Sequence, residues 1–479
     1  DGPVQFDTKP YLTSQFYTSE PVAVEGEPVR LHIEPVLRES TGIQMLQGEL
    51  VIEDRLGRTV REAELDMHVD NDLSASVEWT PETNGLYTAR VVLRDGDAGE
   101  ASEPVASAEL ALPVRIQERE VHFVWYNVRD LRWATLFTVT AEERVKPLQQ
   151  RGITALAWSA GPMQQRLPAD RSEWEARIEN KVARWASFKE ENEHGYDGVG
   201  LDEFGGFAGT EKYEKTDAVL REMARQRKAL HEGSVIASWH AGGMPLEWAS
   251  LHRMTADFVL VELYLFGYFP PTTGTEDIYG MIDSRVDLMR RRDMFLPSWG
   301  GQANTLIALD SNMKHGLGHY HPGEVEKVVR YLRRTAPEMR GLALYNGSGG
   351  KGEEQKSMIK RNRALFDELF FKYFIKPVVT LQRESLWFEN GEVVLALSNI
   401  GAMDSGEVTV ELSLDGEPWK TATVESVPAG FSRHTNRTLI RLPWDREAGS
   451  HLVEARIQDV RFGTVLDSRI EDDMFAPAE

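Results

Sequence analysis

Apolar and polar residues alternate at the two ends of this chain and gather into short apolar runs in its middle. From residue 1 to about 117 the stretches Val29–Ile33, Gly48–Ile52, Ala75–Trp79 and Tyr87–Leu93 are short and partly alternating, with turn signals at Glu25-Gly26, Gly57 and Asp95-Gly96. Alternation with period two puts one strand face on a core, and several such strands at this spacing predict a β-sandwich. Residues 376–479 repeat the style in Leu386–Phe388, Val393–Ser398, Val408–Leu414 and Leu452–Ile457. Two local echoes link the ends. Gly26-Glu-Pro-Val-Arg-Leu is similar to Gly391-Glu-Val-Val-Leu-Ala-Leu, and Trp79…Gly85-Leu-Tyr-Thr-Ala-Arg-Val to Trp444…Gly449-Ser-His-Leu-Val-Glu-Ala-Arg-Ile. Both ends are therefore expected to be immunoglobulin-like or fibronectin-like modules.

Residues 118–375 follow another rhythm, with apolar strands alternating with helical patterns. The strands predicted are Val121–Asn127, Ile153–Ser159, Asp197–Asp202, Val235–His240, Phe258–Tyr264, Met294–Trp299 and Leu342–Asn346. Between them lie helical patterns at Ala141–Gln150, Arg171–Glu190, Lys215–His231, Leu246–His252, Thr275–Arg292, Pro322–Thr335 and Glu353–Tyr373. Strand–helix alternation over this length predicts a (β/α)₈ barrel, a TIM barrel. Seven strands are legible, and the eighth is expected between residues 161 and 195 unless the barrel is incomplete. A doubly wound sheet is the alternative, but no Gly-rich phosphate loop follows the first strand.

In such barrels chemistry gathers at the carboxyl ends of the strands. Those ends are polar and aromatic here: Trp125, Tyr126 and Asn127; Trp158 and Ser159; Asp202 and Glu203; Trp239 and His240; Glu262 and Tyr264; Ser298, Trp299 and Gln302; Tyr345 and Asn346. Residues two apart share a face. Gly198 and Gly200 suit a crowded lumen, and Asp202 shares their face; Glu262, Tyr264 and Tyr345 also read as inward. On the Val235–His240 strand, His240 shares a face with Ser238 and Ile236, and that face is expected to point inward. The predicted mouth thus gathers Asp202, His240, Glu262 and Tyr345. Two carboxyl groups in one pocket push one pKa above the other, as glycosidic bond hydrolysis requires. Glu262 is expected as nucleophile or base, and Asp202 or Glu203 as acid. Asp202 has the better parity, and Glu203 the longer reach.

Trp125, Trp158, Trp239, Trp299 and Tyr345 are candidate stacking surfaces for sugar rings, although Trp158 and Trp239 suit helix packing equally well. With Tyr126, Asn127, His240, Tyr264, Gln302, His319 and Asn346, these residues make up the expected substrate-binding set. The stretch His315-Gly-Leu-Gly-His319-Tyr-His321 reads first as a turn leading into the helix at Pro322, next as a substrate loop, and least as a metal site. No metal and no cofactor are expected.

The segment Tyr196-Asp-Gly-Val-Gly-Leu-Asp-Glu-Phe-Gly resembles the DG-apolar-x-apolar-D strand of (β/α)-barrel glycoside hydrolases. The resemblance implies a catalytic or sugar-contacting role for Asp202 or Glu203. It covers about ten residues, and neither an Asn-Glu strand end nor a DxxDxDxE pattern accompanies it.

Composition narrows the partners. Lys+Arg 54 against Asp+Glu 76 leaves a net charge of −22, which repels phosphate backbones, so no nucleic acid is expected. With no cysteine, disulfides, thiolate nucleophiles and Cys-ligated zinc are excluded. No apolar run approaches the roughly 20 residues of a membrane span, and no signal peptide is visible. The expected location, from architecture alone, is secreted, periplasmic or cell-surface. Two other functions compete with glycoside hydrolysis: a polysaccharide lyase with Tyr264, Tyr345 or His240 as base, and a non-catalytic carbohydrate-binding surface protein.

Overall fold

The fold is that of a computed structural model. It describes residues 4–469 except 6, 9–11, 21, 38–41, 55–56, 69–72, 99–101, 116–120, 126–130, 160–170, 189–194, 205–209, 241–247, 249–250, 253–254, 263–275, 292–304, 311–320, 337–338, 340, 346–351, 382–384, 430–436 and 459.

At the N-terminal end two antiparallel-rich sheets enclose one core. The first contains Leu12–Thr18, Val29–Leu37 and Ala75–Trp79; the second contains Met45–Glu53, Thr59–His68, Gly85–Asp95 and Pro104–Arg115. Alternate residues of both point inward, among them Leu31, Ile33, Val77 and Trp79 from one and Leu46, Leu50, Ala89, Val91 and Leu93 from the other. The C-terminal end repeats the plan. One sheet is built on Glu392–Asn399 and the other on Val408–Leu414, and Val393, Leu395, Val410, Leu412, Val453 and Ala455 lie between them.

The middle of the chain is a closed ring of eight parallel strands. In order they are Val121–Trp125, Leu136–Val139, Thr154–Ser159, Gly198–Phe204, Val235–His240, Phe258–Glu262, Thr305–Asp310 and Gly341–Tyr345. The last pairs with the first over five residues, from Val121↔Gly341 to Trp125↔Tyr345. Two expectations need correction. The missing strand is not between 161 and 195; it is Leu136–Val139, the second of the ring. It has four residues, all buried, so it shows no alternation to read. The seventh strand is Thr305–Asp310, whereas Met294–Trp299 lies outside the described residues.

Outward-facing strand residues meet the helices. Val124, Phe137, Ala155, Val199, Ile236, Val259, Ile307 and Leu342 join Ile178, Val182, Val219, Met223, Val328 and Phe366 in one continuous core. Two aspartates lash the far end of the barrel. Asp197 accepts from the Ala155 backbone N–H at 2.8 Å and from Gln149 Nε2 at 3.0 Å. Asp257 accepts from Ile236 N at 2.7 Å. Each stands just before its own strand and holds the start of the preceding one.

The helix Gly352–Phe370 closes the barrel and passes through the π-helical turn Phe371–Ile375 into the C-terminal module. Arg333, buried in the helix Pro322–Thr335, ties that joint. Its Nε donates to the Tyr373 carbonyl at 2.9 Å, its Nη2 donates to the Ile400 carbonyl, and its guanidinium lies 4.7 Å over Phe374. No helix among the described residues is long and apolar enough to cross a membrane.

A buried polar pair lies between the first barrel strand and the closing helix. Asp367 accepts from the backbone N–H groups of Arg132 and Trp133, each at 2.9 Å, and its Oδ1 is 3.6 Å from His122 Nε2. His122 stacks on Phe370 at 4.5 Å. Burial pushes the Asp367 carboxyl up to about 7 against the pull of those two N–H groups, and burial pushes the His122 imidazole down to about 3. Between about pH 4 and 7 the folded chain keeps a proton on Asp367 that the unfolded chain releases, so this group makes stability fall as pH rises through that window. Asp367→Asn lacks this slope. Its stability deficit relative to the natural chain should shrink by about 3 kcal/mol between pH 5 and 8, because the Asp367 carboxyl of the folded chain, pushed up to about 7, loses its proton over some two pH units of that window. Urea melts of both proteins at the two pH values measure the change.

Candidate active site

Small residues on the fourth strand decide what fits in the lumen. A methyl group built on Gly198 would lie 2.0 Å from the Val235 carbonyl oxygen, and one built on Gly200 would lie 2.5 Å from Thr138 Cγ2 and 3.2 Å from Trp125 Cζ3. The space their missing side chains leave is taken by large ones. Phe123, Trp125, Leu136, Leu156, Trp239, Leu260 and Leu306 fill the interior, with Ala237, Ala308 and Ala343 between them. Trp125 and Trp239 meet at 5.0 Å between ring centroids, and Tyr345 lies 5.8 Å from Trp239.

Two carboxylates stand at the mouth above this packing. Asp202 continues the inward face of Gly198 and Gly200 and is 7% exposed; Glu262 continues that of Phe258 and Leu260 and is 8% exposed. Their strands flank the fifth, from which Trp239 rises. Each carboxylate accepts an indole N–H: Trp158 Nε1 donates to Asp202 Oδ2 at 3.4 Å, and Trp239 Nε1 donates to Glu262 Oε1. Trp239 is fully buried, whereas Trp158 is 37% exposed. A carboxylate removed from water is tolerated where donors meet it, and here side-chain donors aimed into the lumen supply them.

The expected inward set on the fifth strand needs correction. Ile236 packs into the core beneath the helices, and Ser238 Oγ lies 3.1 Å from His252 Nδ1 behind the barrel. Ala237 and Trp239 face the lumen instead. Polarity makes Ser238 resemble a mouth residue, but Ala237 pairs with Gly200 and takes the inward place on that rung. Trp158 and Trp239 both point inward, not against helices. Trp125 has no exposed surface, so it offers no face for a sugar ring and forms part of the floor.

Tyr126, Asn127, Tyr264, Trp299, Gln302, His319 and Asn346 lie outside the described residues, as do the side chains of Glu203 and His240. His321 caps the helix at Pro322, its ring nitrogen accepting from Gly323 N at 3.2 Å, as the turn reading anticipated. Asp310, whose backbone ends the seventh strand in register with Tyr345, is not in the expected set because that strand is expected at Met294–Trp299. Among the described residues no group of three or more His, Asp or Glu is placed to hold a metal ion.

No family model and no curated protein matches this sequence. Among solved structures the chain is similar to three bacterial enzymes. An FMN-binding β-glucuronidase from F. prausnitzii L2-6 shows 12% identity and a TM-score of 0.33, over 97% of this chain and 75% of that one. Bacteroides uniformis β-glucuronidase 2 shows 12% identity and a TM-score of 0.33, over 95% of this chain and 61% of that one. A glycosyl hydrolase family 2 member from Bacteroides cellulosilyticus shows 11% identity and a TM-score of 0.29, over 97% and 64%. The chain spans about three-fifths of the length of most of these proteins. Its own strand ladder, independent of them, defines the barrel.

The crowding at Gly200 is testable. Gly200→Ala should lower stability by about 1–3 kcal/mol, the usual cost of overpacking, because neither the Thr138 methyl nor the Trp125 ring has room to retreat. A lower midpoint in guanidinium with an unchanged slope is the expected outcome, together with altered near-UV dichroism from the displaced indoles.

Proposed function

We propose that this protein is a glycoside hydrolase that cleaves a poly- or oligosaccharide with a pair of carboxyl groups at the barrel mouth. One observation carries the reading: Asp202 and Glu262, from strands far apart in sequence, are both buried in one lumen, and each is met there by an indole N–H. Glu262 serves as nucleophile or base. Asp202, or its neighbour Glu203, protonates the leaving oxygen. The half-exposed indole of Trp158 beside Asp202 is the stacking surface for a sugar ring, and Tyr345 stands on the opposite side of the ring of strands. The terminal modules, immunoglobulin-like in this reading, brace the barrel. A neutral glycan suits the negative chain, and the setting is outside the cytoplasm: secreted, periplasmic or cell-surface.

Reducing-end assays against a panel of polysaccharides test this. Glu262→Gln and Asp202→Asn should each lower kcat at least a hundredfold while glycan binding persists, since general acid–base catalysis alone contributes about 10²–10⁴-fold. Unchanged turnover in both variants would remove the assignment. Trp158→Ala should raise KM or Kd for the same glycan about tenfold, with little loss of stability because the ring is already partly in solvent. Isothermal titration on the Glu262→Gln background measures that directly.

A further inference from the structure

Of the two indole–carboxylate bonds, the one from Trp239 is enclosed, and it bears on the ionisation of Glu262. Trp239 is enclosed, held at 5.0 Å from Trp125 on one side and 5.8 Å from Tyr345 on another. Its ring has no room to turn, so its N–H stays aimed at Glu262 Oε1. Trp158 is 37% exposed, and its bond to Asp202, at 3.4 Å, is near the outer limit for such a contact. An indole N–H donates only. It can stabilise a carboxylate but can neither take a proton from it nor accept one. A fixed donor on a buried carboxylate favours the charged form.

We infer that Trp239 is a positioning residue that fixes the Glu262 carboxylate in one orientation and holds it ionised. The consequence for catalysis rests on the glycoside hydrolase reading; the bond and its effect on proton affinity do not. Besides Glu262, the titratable groups described in the same lumen are Asp202 and Tyr345. Neither is joined to the Trp239 nitrogen by a described bond. The pairing also explains an otherwise odd choice, a tryptophan on the inward face of the fifth strand where alanine precedes it by two residues. A smaller apolar side chain there would bring no donor to the height of Glu262.

The test uses the full-length protein with ¹⁵N-labelled tryptophan, following the indole N–H resonances from pH 3.5 to 8. In the natural sequence the Trp239 resonance should move through a single titration, and in Glu262→Gln it should sit at a different shift and not titrate. Trp239→Phe identifies the resonance by its loss; should that variant fail to fold, the resonance is the one that Glu262→Gln moves most. A Trp239 resonance indifferent to both pH and Glu262→Gln would overturn the inference. In folded Trp239→Phe the ¹³C-detected pKa of Glu262 should rise by about one unit, a tenfold change in proton affinity, as loss of a hydrogen bond to a charged group predicts. An unchanged value would also overturn it. The acidic limb of the kcat/KM profile should move up by the same amount, while Trp158→Phe moves it by much less. If the resonances behave as expected but no glycan is cleaved, the positioning role stands and the hydrolase reading falls. If glycan is cleaved while the Trp239 resonance ignores Glu262, only the positioning role falls.

Discussion

The space inside a ring of eight parallel strands governs this structure. The lumen is narrow, and every inward residue competes with those of neighbouring strands for the same volume. Two glycines on the fourth strand settle that competition. Without a Cβ at Gly198 the backbone of the fifth strand approaches closely, and without one at Gly200 the Trp125 ring packs against the fourth strand. Trp125 in turn supports Trp239, and Trp239 meets Glu262. The donor at the mouth is therefore held in place by a void several residues below it. A change at Gly200, which touches neither carboxylate, would reach the site through packing alone.

The partly exposed Asp197 and Asp257 and the buried Asp367 differ from the buried Asp202 and Glu262 in the donors described for them. Asp197, Asp257 and Asp367 accept from backbone N–H groups of neighbouring segments: Ala155, Ile236, and Arg132 with Trp133. Such bonds stitch strand starts and loop turns, and they lie at the far end or flank of the barrel. Asp202 and Glu262 accept from side chains that themselves point into the lumen. The distinction matters for the DG-apolar-x-apolar-D segment. Its first aspartate, Asp197, is a strap, its glycine makes room for the adjacent strand, and only its last aspartate reaches the mouth.

Much of this was legible from residue pattern. Alternation in the end modules and strand–helix rhythm in the middle gave the layers, and parity gave the inward course of Gly198, Gly200, Asp202 and Glu262. The failures have physical causes. Leu136–Val139 is buried on both faces and short, so it carries neither the period nor the length by which strands are recognised. On the fifth strand, polarity was taken as a sign of facing the mouth, yet Ser238 satisfies its hydroxyl against His252 behind the sheet. Face is fixed by which residues fit the rung, and that depends on the neighbouring strands, which a single segment does not show. The seventh strand is expected at Met294–Trp299, an apolar run of strand length, whereas Thr305–Asp310, another such run, is the one that pairs with the strands Phe258–Glu262 and Gly341–Tyr345.

The end modules also meet each other. Asn84 of the N-terminal module donates from its backbone and side-chain nitrogens to Glu25 Oε2, at 2.8 and 3.0 Å, and its Oδ1 accepts from the backbone N–H of Asp404 in the C-terminal module at 2.8 Å. Asp404 is itself held by the Ala429 N–H at 2.8 Å. A cleft of about 950 Å³ opens beside this contact, lined in part by Trp79, Tyr87, Lys376 and Met403. With Arg333 fastening the barrel to the C-terminal module on the other side, the chain returns on itself. Bending at the joint after Ile375 would have to break the Arg333 bonds to buried carbonyls and the Asn84–Asp404 contact together. Leaving such groups unpaired away from water costs about 1–3 kcal/mol each. The two modules are thus tied to each other through Asn84 and Asp404, and the C-terminal module to the barrel through Arg333.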